Sequence, residues 1–139
     1  MRSITANSAN LELASEALDA LDARDTERLI ELSHPEVEWQ SYFSLGNGGF
    51  YRGHDGLLRF LHDLGDAFAV VHREVEDAVV FAEVAVLVGR IVYRGQGSDQ
   101  ASTSPAGWVL KFRDGKLLSF RAFHGPTYTS KRAAFASRA

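Results

Sequence analysis

The chain has 139 residues, 45% of them hydrophobic, enough for one folded domain with an apolar core and room for a cavity. Its 18 acidic and 15 basic residues give a net charge of -3 without a basic block, which argues against nucleic-acid binding. It has no cysteine, so disulfides, thiolate catalysis and sulfur-bound zinc are excluded.

Residues 8–24 place Leu11, Ala14, Ala17, Leu18 and Leu21 at three- and four-residue intervals, the stripe of an amphipathic helix with Glu12, Glu16 and Asp19 facing water. Asp25 and Thr26 are capping residues that open a second, short helix through Leu29, Ile30 and Leu32. That helix must stop near His34, because Pro35 disfavours helical geometry in the residue before it. Glu36 to Phe43 reads as a strand with Val37 and Trp39 on one face, and 44–49 as a glycine-rich loop. Leu57, Phe60, Leu61 and Leu64 mark a third helix ending at Gly65.

From Ala67 the hydrophobic period changes from 3.6 to 2, and four strands follow: 68–80, 81–94, 106–113 and 116–124. The first turn falls at Asp77-Ala78 or at Ala82-Glu83, and the last at Asp114-Gly115. The segment 95–104 is polar and small, a long exposed hairpin loop or a disordered tip. The tail 127–139 is polar and basic, leaving a core of about 8–125 in a single domain spanning 1–139. Three helices followed by four long strands predict an α+β fold, with a curved, mostly antiparallel sheet wrapped around the helices. Leu18, Leu21, Leu29, Leu61, Val86 and Leu118 are the expected core.

No apolar run approaches the roughly 20 residues of a membrane span, and the first residues lack an apolar signal core, so a cytoplasmic protein is expected. Neither a His-x-His nor a His-x-x-x-His pair occurs, so no metal site is expected. No nucleophile elbow or phosphate-cradling glycine loop is present either.

The Ala23-Arg24-Asp25 bend, the HPEVEW strand, YRGHDGLLRFL at the third helix and RDGKLLSFRAFH at the end come in an order that resembles the SnoaL-like branch of the nuclear transport factor two-like superfamily. The resemblance covers about Leu11 to Gly125 and implies a cone-shaped barrel, common homodimers and no cofactor. Among its relatives, ketosteroid isomerases carry a catalytic Asp where this chain has Gln40, and their oxyanion-binding Tyr and Asp fall at about Ala17 and Trp108. Steroid isomerisation is therefore not implied. SnoaL-like cyclases place an acid/base Asp near the end of the last strand, where His124 stands here.

His124 is in phase with Leu118, Phe120 and Ala122, and an imidazole there suits general acid/base work on an enolisable or hydrolysable substrate. A core histidine held by a neighbouring polar group is the alternative. Trp39, Tyr42, Tyr51, Phe60 and Trp108 are candidate ligand-binding residues lining an apolar pocket, with ordinary core packing as the competing reading. Arg90 shares parity with Val84, Val86 and Val88 and is the first of the strand arginines Arg90, Arg94 and Arg121 to consider for an inward, ligand-binding place, with Glu38 or Glu74 as partner; a solvated or salt-bridged face is the favoured reading for all three. His54-Asp55 reads as the start of the third helix, Asp55 complementing its dipole. The expected function is binding of a small apolar molecule, with isomerase, cyclase or hydrolase chemistry. The alternative is a non-enzymatic binding or dimerisation domain.

Overall fold

A computed structural model describes residues 8–40 and 50–124. Helix α1 (Ser8–Asp22) buries Ala14, Ala17, Leu18 and Leu21, the stripe its periodicity predicts. A bend follows, with Arg24 at positive φ, and the Asp25 side chain then accepts from the Arg28 N–H to cap α2 (Thr26–Leu32). Ser33 turns the chain into β1 (Ser33–Gln40), its hydroxyl donating to the Leu29 carbonyl at 2.7 Å. A three-residue strand, β2 (Phe50–Arg52), pairs antiparallel with β1; its shortness and polar flank hid it in the sequence.

Helix α3 (Gly53–Ala67) follows, longer than its apolar residues suggested. A ring nitrogen of His54, Nε2, lies 3.0 Å from the Ser33 carbonyl and ties the start of α3 to the α2–β1 junction. Four more strands follow among the described residues: β3 (Phe68–Phe81), β4 (Val84–Gly95), β5 (Ser102–Arg113) and β6 (Lys116–His124). The β3–β4 turn is the Ala82-Glu83 alternative, with Ala82 at positive φ. Asp114 and Gly115 both take positive φ, as the tight turn between right-twisted strands requires.

The six strands form one sheet in the order β2-β1-β6-β5-β4-β3, antiparallel except for the β1–β6 pair. The helices cover one face of it. One residue from each strand then makes a row across that concave face: Val80, Ala85, Leu110, Phe120, Trp39 and Tyr51 stand side by side, all buried. A second row runs Ala78, Leu87, Trp108, Ala122, and a third Val75, Gly89, Ala106 with the backbone of His124.

Two expectations about the core are corrected. Val86 lies with Val84 and Val88 on the opposite, convex face, because β4 buries Ala85, Leu87 and Ile91. Leu118 is only partly buried: Lys111 pairs with Ser119 and Phe112 with Leu117, so Leu118 is the extra residue of a bulge and leaves the inward parity of Phe120 and Ala122. Leu18, Leu21 and Leu29 are buried as expected, and Leu61 packs against the core from its edge.

Candidate functional site

The aromatic residues expected around a pocket meet beneath α3. Trp39 stacks between Phe120 and Phe60, with ring centroids 4.2 and 5.2 Å away, and Tyr51 meets Phe60 edge-on at 5.5 Å. Trp108 lies on the same concave face, one row along and two strands away. Both indoles are buried, and neither Nε1–H finds an acceptor among the described residues. A buried donor left unpaired costs free energy of about 1–3 kcal/mol, so two on one face of one sheet are a feature the packing alone does not explain.

Tyr51 closes the row at the sheet edge, and its hydroxyl donates to the Asp63 carboxylate at 2.5 Å. Burial, the hydrogen bond to Asp63 and the charge of Asp63 together push its pKa up to about 12, with Arg59 opposing. A raised phenol pKa favours the folded state below about pH 10, the unfolded value, and that contribution disappears as pH climbs through about 12. The expected outcome is a phenolate absorbance step near pH 12 in the wild type that Tyr51→Phe lacks. A Tyr51 that ionises with the ordinary tyrosines would contradict the Asp63 contact.

Arg90 is not turned inward. Its side chain is 54% exposed on the convex face and donates through Nε to Glu74 at 2.8 Å, the salt-bridged face and one of the two partners expected of it. The inward arginine is Arg73, which shares parity with Val71 and Val75. Its side chain is 3% exposed and lies under the end of α1, where Nη1 donates to Asp22 Oδ1 at 2.5 Å. The Arg73 backbone N–H donates to the other oxygen of Asp22 at 3.1 Å. Burial pushes the guanidinium pKa down and Asp22 pushes it back up, while the like charge of Arg24 lowers it further. The signal for Arg73 was present in the alternation Val71, Arg73, Val75.

Tyr42 and the loop 44–49 lie outside the described residues, as does the tail 127–139. His124 is placed by its backbone, paired opposite Ala106 at the end of β6; its side chain is outside the description. Among the described residues no three His, Cys, Asp or Glu side chains gather as metal ligands, and no helix is long and apolar enough to cross a membrane.

Three helices laid on one face of a bulged mixed sheet, with donors buried between the layers, are the architecture of the NTF2-like cone. The chain belongs to the SnoaL-like domain family, which matches it over residues 14–120. Among solved structures it is similar to an NTF2-like protein of unknown function from Burkholderia pseudomallei K96243 (TM-score 0.76, 20% identity, covering 89% of this chain and 95% of that one). It is also similar to TerC co-crystallised with polyporic acid (TM-score 0.75, 20% identity, 93% and 96% covered). A candidate SnoaL-like polyketide cyclase from Shewanella denitrificans OS-217 follows (TM-score 0.71, 16% identity, 90% and 96% covered). No curated protein matches the chain by sequence.

Proposed function

We propose that this chain binds a small, largely apolar molecule bearing carbonyl or phenol oxygens, and transfers a proton on it without a cofactor. The observation that carries the reading is the pair of buried indole N–H groups of Trp39 and Trp108, on one apolar face and without an acceptor among the described residues. Donors set in such surroundings complement acceptor oxygens on a ligand whose body is apolar. His124 is the residue we assign to proton transfer. Its backbone pairs opposite Ala106 at the end of β6, in the row that Gly89 and Val75 continue.

Polyporic acid, the compound crystallised with TerC, is the first probe. Calorimetric titration should give saturable binding to the wild type. Trp39→Phe and Trp108→Phe should each weaken it roughly fivefold, the worth of about one hydrogen bond. His124→Ala should weaken it too, while staying within about 1–2 kcal/mol of wild-type stability. Saturable binding that both Trp variants retain in full would sink the donor argument.

A second reading is a non-enzymatic domain whose interior is filled by its own aromatics, which the close stacking of Trp39 on Phe120 favours. Absence of binding by the wild type would support it. In either case we propose a homodimer through the convex face. There Val79, Val86 and Val109 stand in register, and Phe81 and Val70 are 53% and 41% exposed. Light scattering should return twice the chain mass of 15.3 kDa; the monomer mass at micromolar concentration would exclude it.

A further inference from the structure

A cleft of about 170 Å³ lies between α1 and strands β3 and β4, away from the Trp39 stack. Leu11, Leu18, Val75 and Leu87 form its apolar wall, and Ser15, Asp19, Asp22 and Arg73 its polar one. The α1 residues follow the helical repeat, so a single face of the helix supplies Leu11, Ser15, Leu18, Asp19 and Asp22. The charges are not evenly spent. Asp22 is committed to Arg73, accepting from both its Nη1 and its backbone N–H. Asp19 is exposed at the mouth, with no ion pair among the described residues.

Arg73 has used only one corner of its fork. Among the described residues its buried Nε has no acceptor and Nη2 meets none. A guanidinium presents that Nε/Nη2 edge to planar groups with two acceptors, of which a carboxylate is the commonest. The cleft therefore offers one unfilled two-donor edge, one free carboxylate and an aliphatic wall. The ligand class that answers all three at once is a zwitterion with a branched aliphatic side chain.

We propose that this cleft binds an aliphatic α-amino acid, its carboxylate on the Nε/Nη2 edge of Arg73, its ammonium on Asp19, and its side chain against Leu18, Val75 and Leu87. Engaging Nε takes a small adjustment of the guanidinium toward the cleft, since Nε is screened from bulk solvent. The site does not depend on the proposed ligand of Trp39 and Trp108, although Leu87 borders both, being paired in register with Trp108.

The test is nitrogen–proton NMR of the Arg73 Nε–H group in the intact chain, titrated with L-valine. The expected result is a saturable shift with a Kd on the order of 1 mM, the range accessible to a ligand of so few atoms. Isovalerate, which lacks the ammonium, and isobutylamine, which lacks the carboxylate, should each bind at least about tenfold more weakly, a loss near 1.4 kcal/mol. Asp19→Asn, an exposed change that leaves the Asp22–Arg73 pair intact, should weaken L-valine while leaving isovalerate unchanged or tighter. No saturable shift with L-valine, isovalerate binding as tightly as L-valine, or an Asp19→Asn variant with wild-type affinity would each overturn the proposal. Because the readout is Arg73 itself, the result is independent of polyporic acid binding.

Discussion

Asp22→Ala should cost about 3–5 kcal/mol of folding stability, the range for breaking a buried ion pair by removing one partner. The reason lies in what is left behind. The Asp22 carboxylate is 23% exposed and can draw on water if it loses its partner, whereas the Arg73 side chain is 3% exposed and cannot. Removing the carboxylate strands a guanidinium together with its own backbone N–H, both of which Asp22 satisfies. Removing the guanidinium leaves the more hydrated of the two charges, so Arg73→Met should be the milder change. The double variant Asp22→Leu, Arg73→Met replaces charge by apolar volume and should recover most of the loss. Urea denaturation of the four proteins checks the order. If Arg73→Met proves worse than Asp22→Ala, the pair is held together by the packing of the arginine stem rather than by its charge.

That pair also shows where sequence reading stops. The helix stripes, the capping Asp25 and the Asp114-Gly115 turn were legible because each depends on neighbours within a few residues. The face of Arg90 was not, because β4 has apolar side chains at both parities. Val84, Val86 and Val88 look as suitable for a core as Ala85, Leu87 and Ile91, so the parity of Arg90 does not by itself decide its face. Only the helices, by choosing which side of the sheet to cover, break that tie. Trp39, Tyr51, Phe60 and Trp108 read as pocket lining or core filling, and the burial that both readings require is found for all four. Their unpaired indole donors were not legible, since that depends on which acceptors distant strands bring near. Bulges caused the remaining errors. An extra residue inverts parity downstream, so Leu118 was counted with Phe120, and the Asp77-Ala78 step just after the β3 bulge stood as one of two candidate turns.

The β3 bulge leads to the other large expected effect: Gly89→Ala should destabilise the chain by about 3–5 kcal/mol, beyond the usual range of point substitutions. Val75 pairs with Gly89 and Asp77 with Val88, so Glu76 is the residue without a counterpart, and the backbone around it folds in against β4. A Cβ on Gly89 would stand 1.9 Å from the Glu74 carbonyl oxygen and 3.0 Å from the Glu76 nitrogen. Both are backbone atoms inside a paired strand, so neither can swing aside as a side-chain end could, and the strands must separate. The bulge also has a consequence for the cleft: it lets Arg73 and Val75 face inward on one side of Glu76 while Ala78 and Val80 face inward on the other. Deleting Glu76 would make that alternation regular and remove the backbone protrusion that Gly89 accommodates. The deletion combined with Gly89→Ala should therefore be more stable than Gly89→Ala alone, by at least about 1 kcal/mol, well outside the scatter expected for independent sites. Chemical denaturation of the three variants decides it. A Gly89→Ala protein within about 0.5 kcal/mol of wild type, the range of an unconstrained surface change, would mean the strands do not approach as closely as the bulge requires.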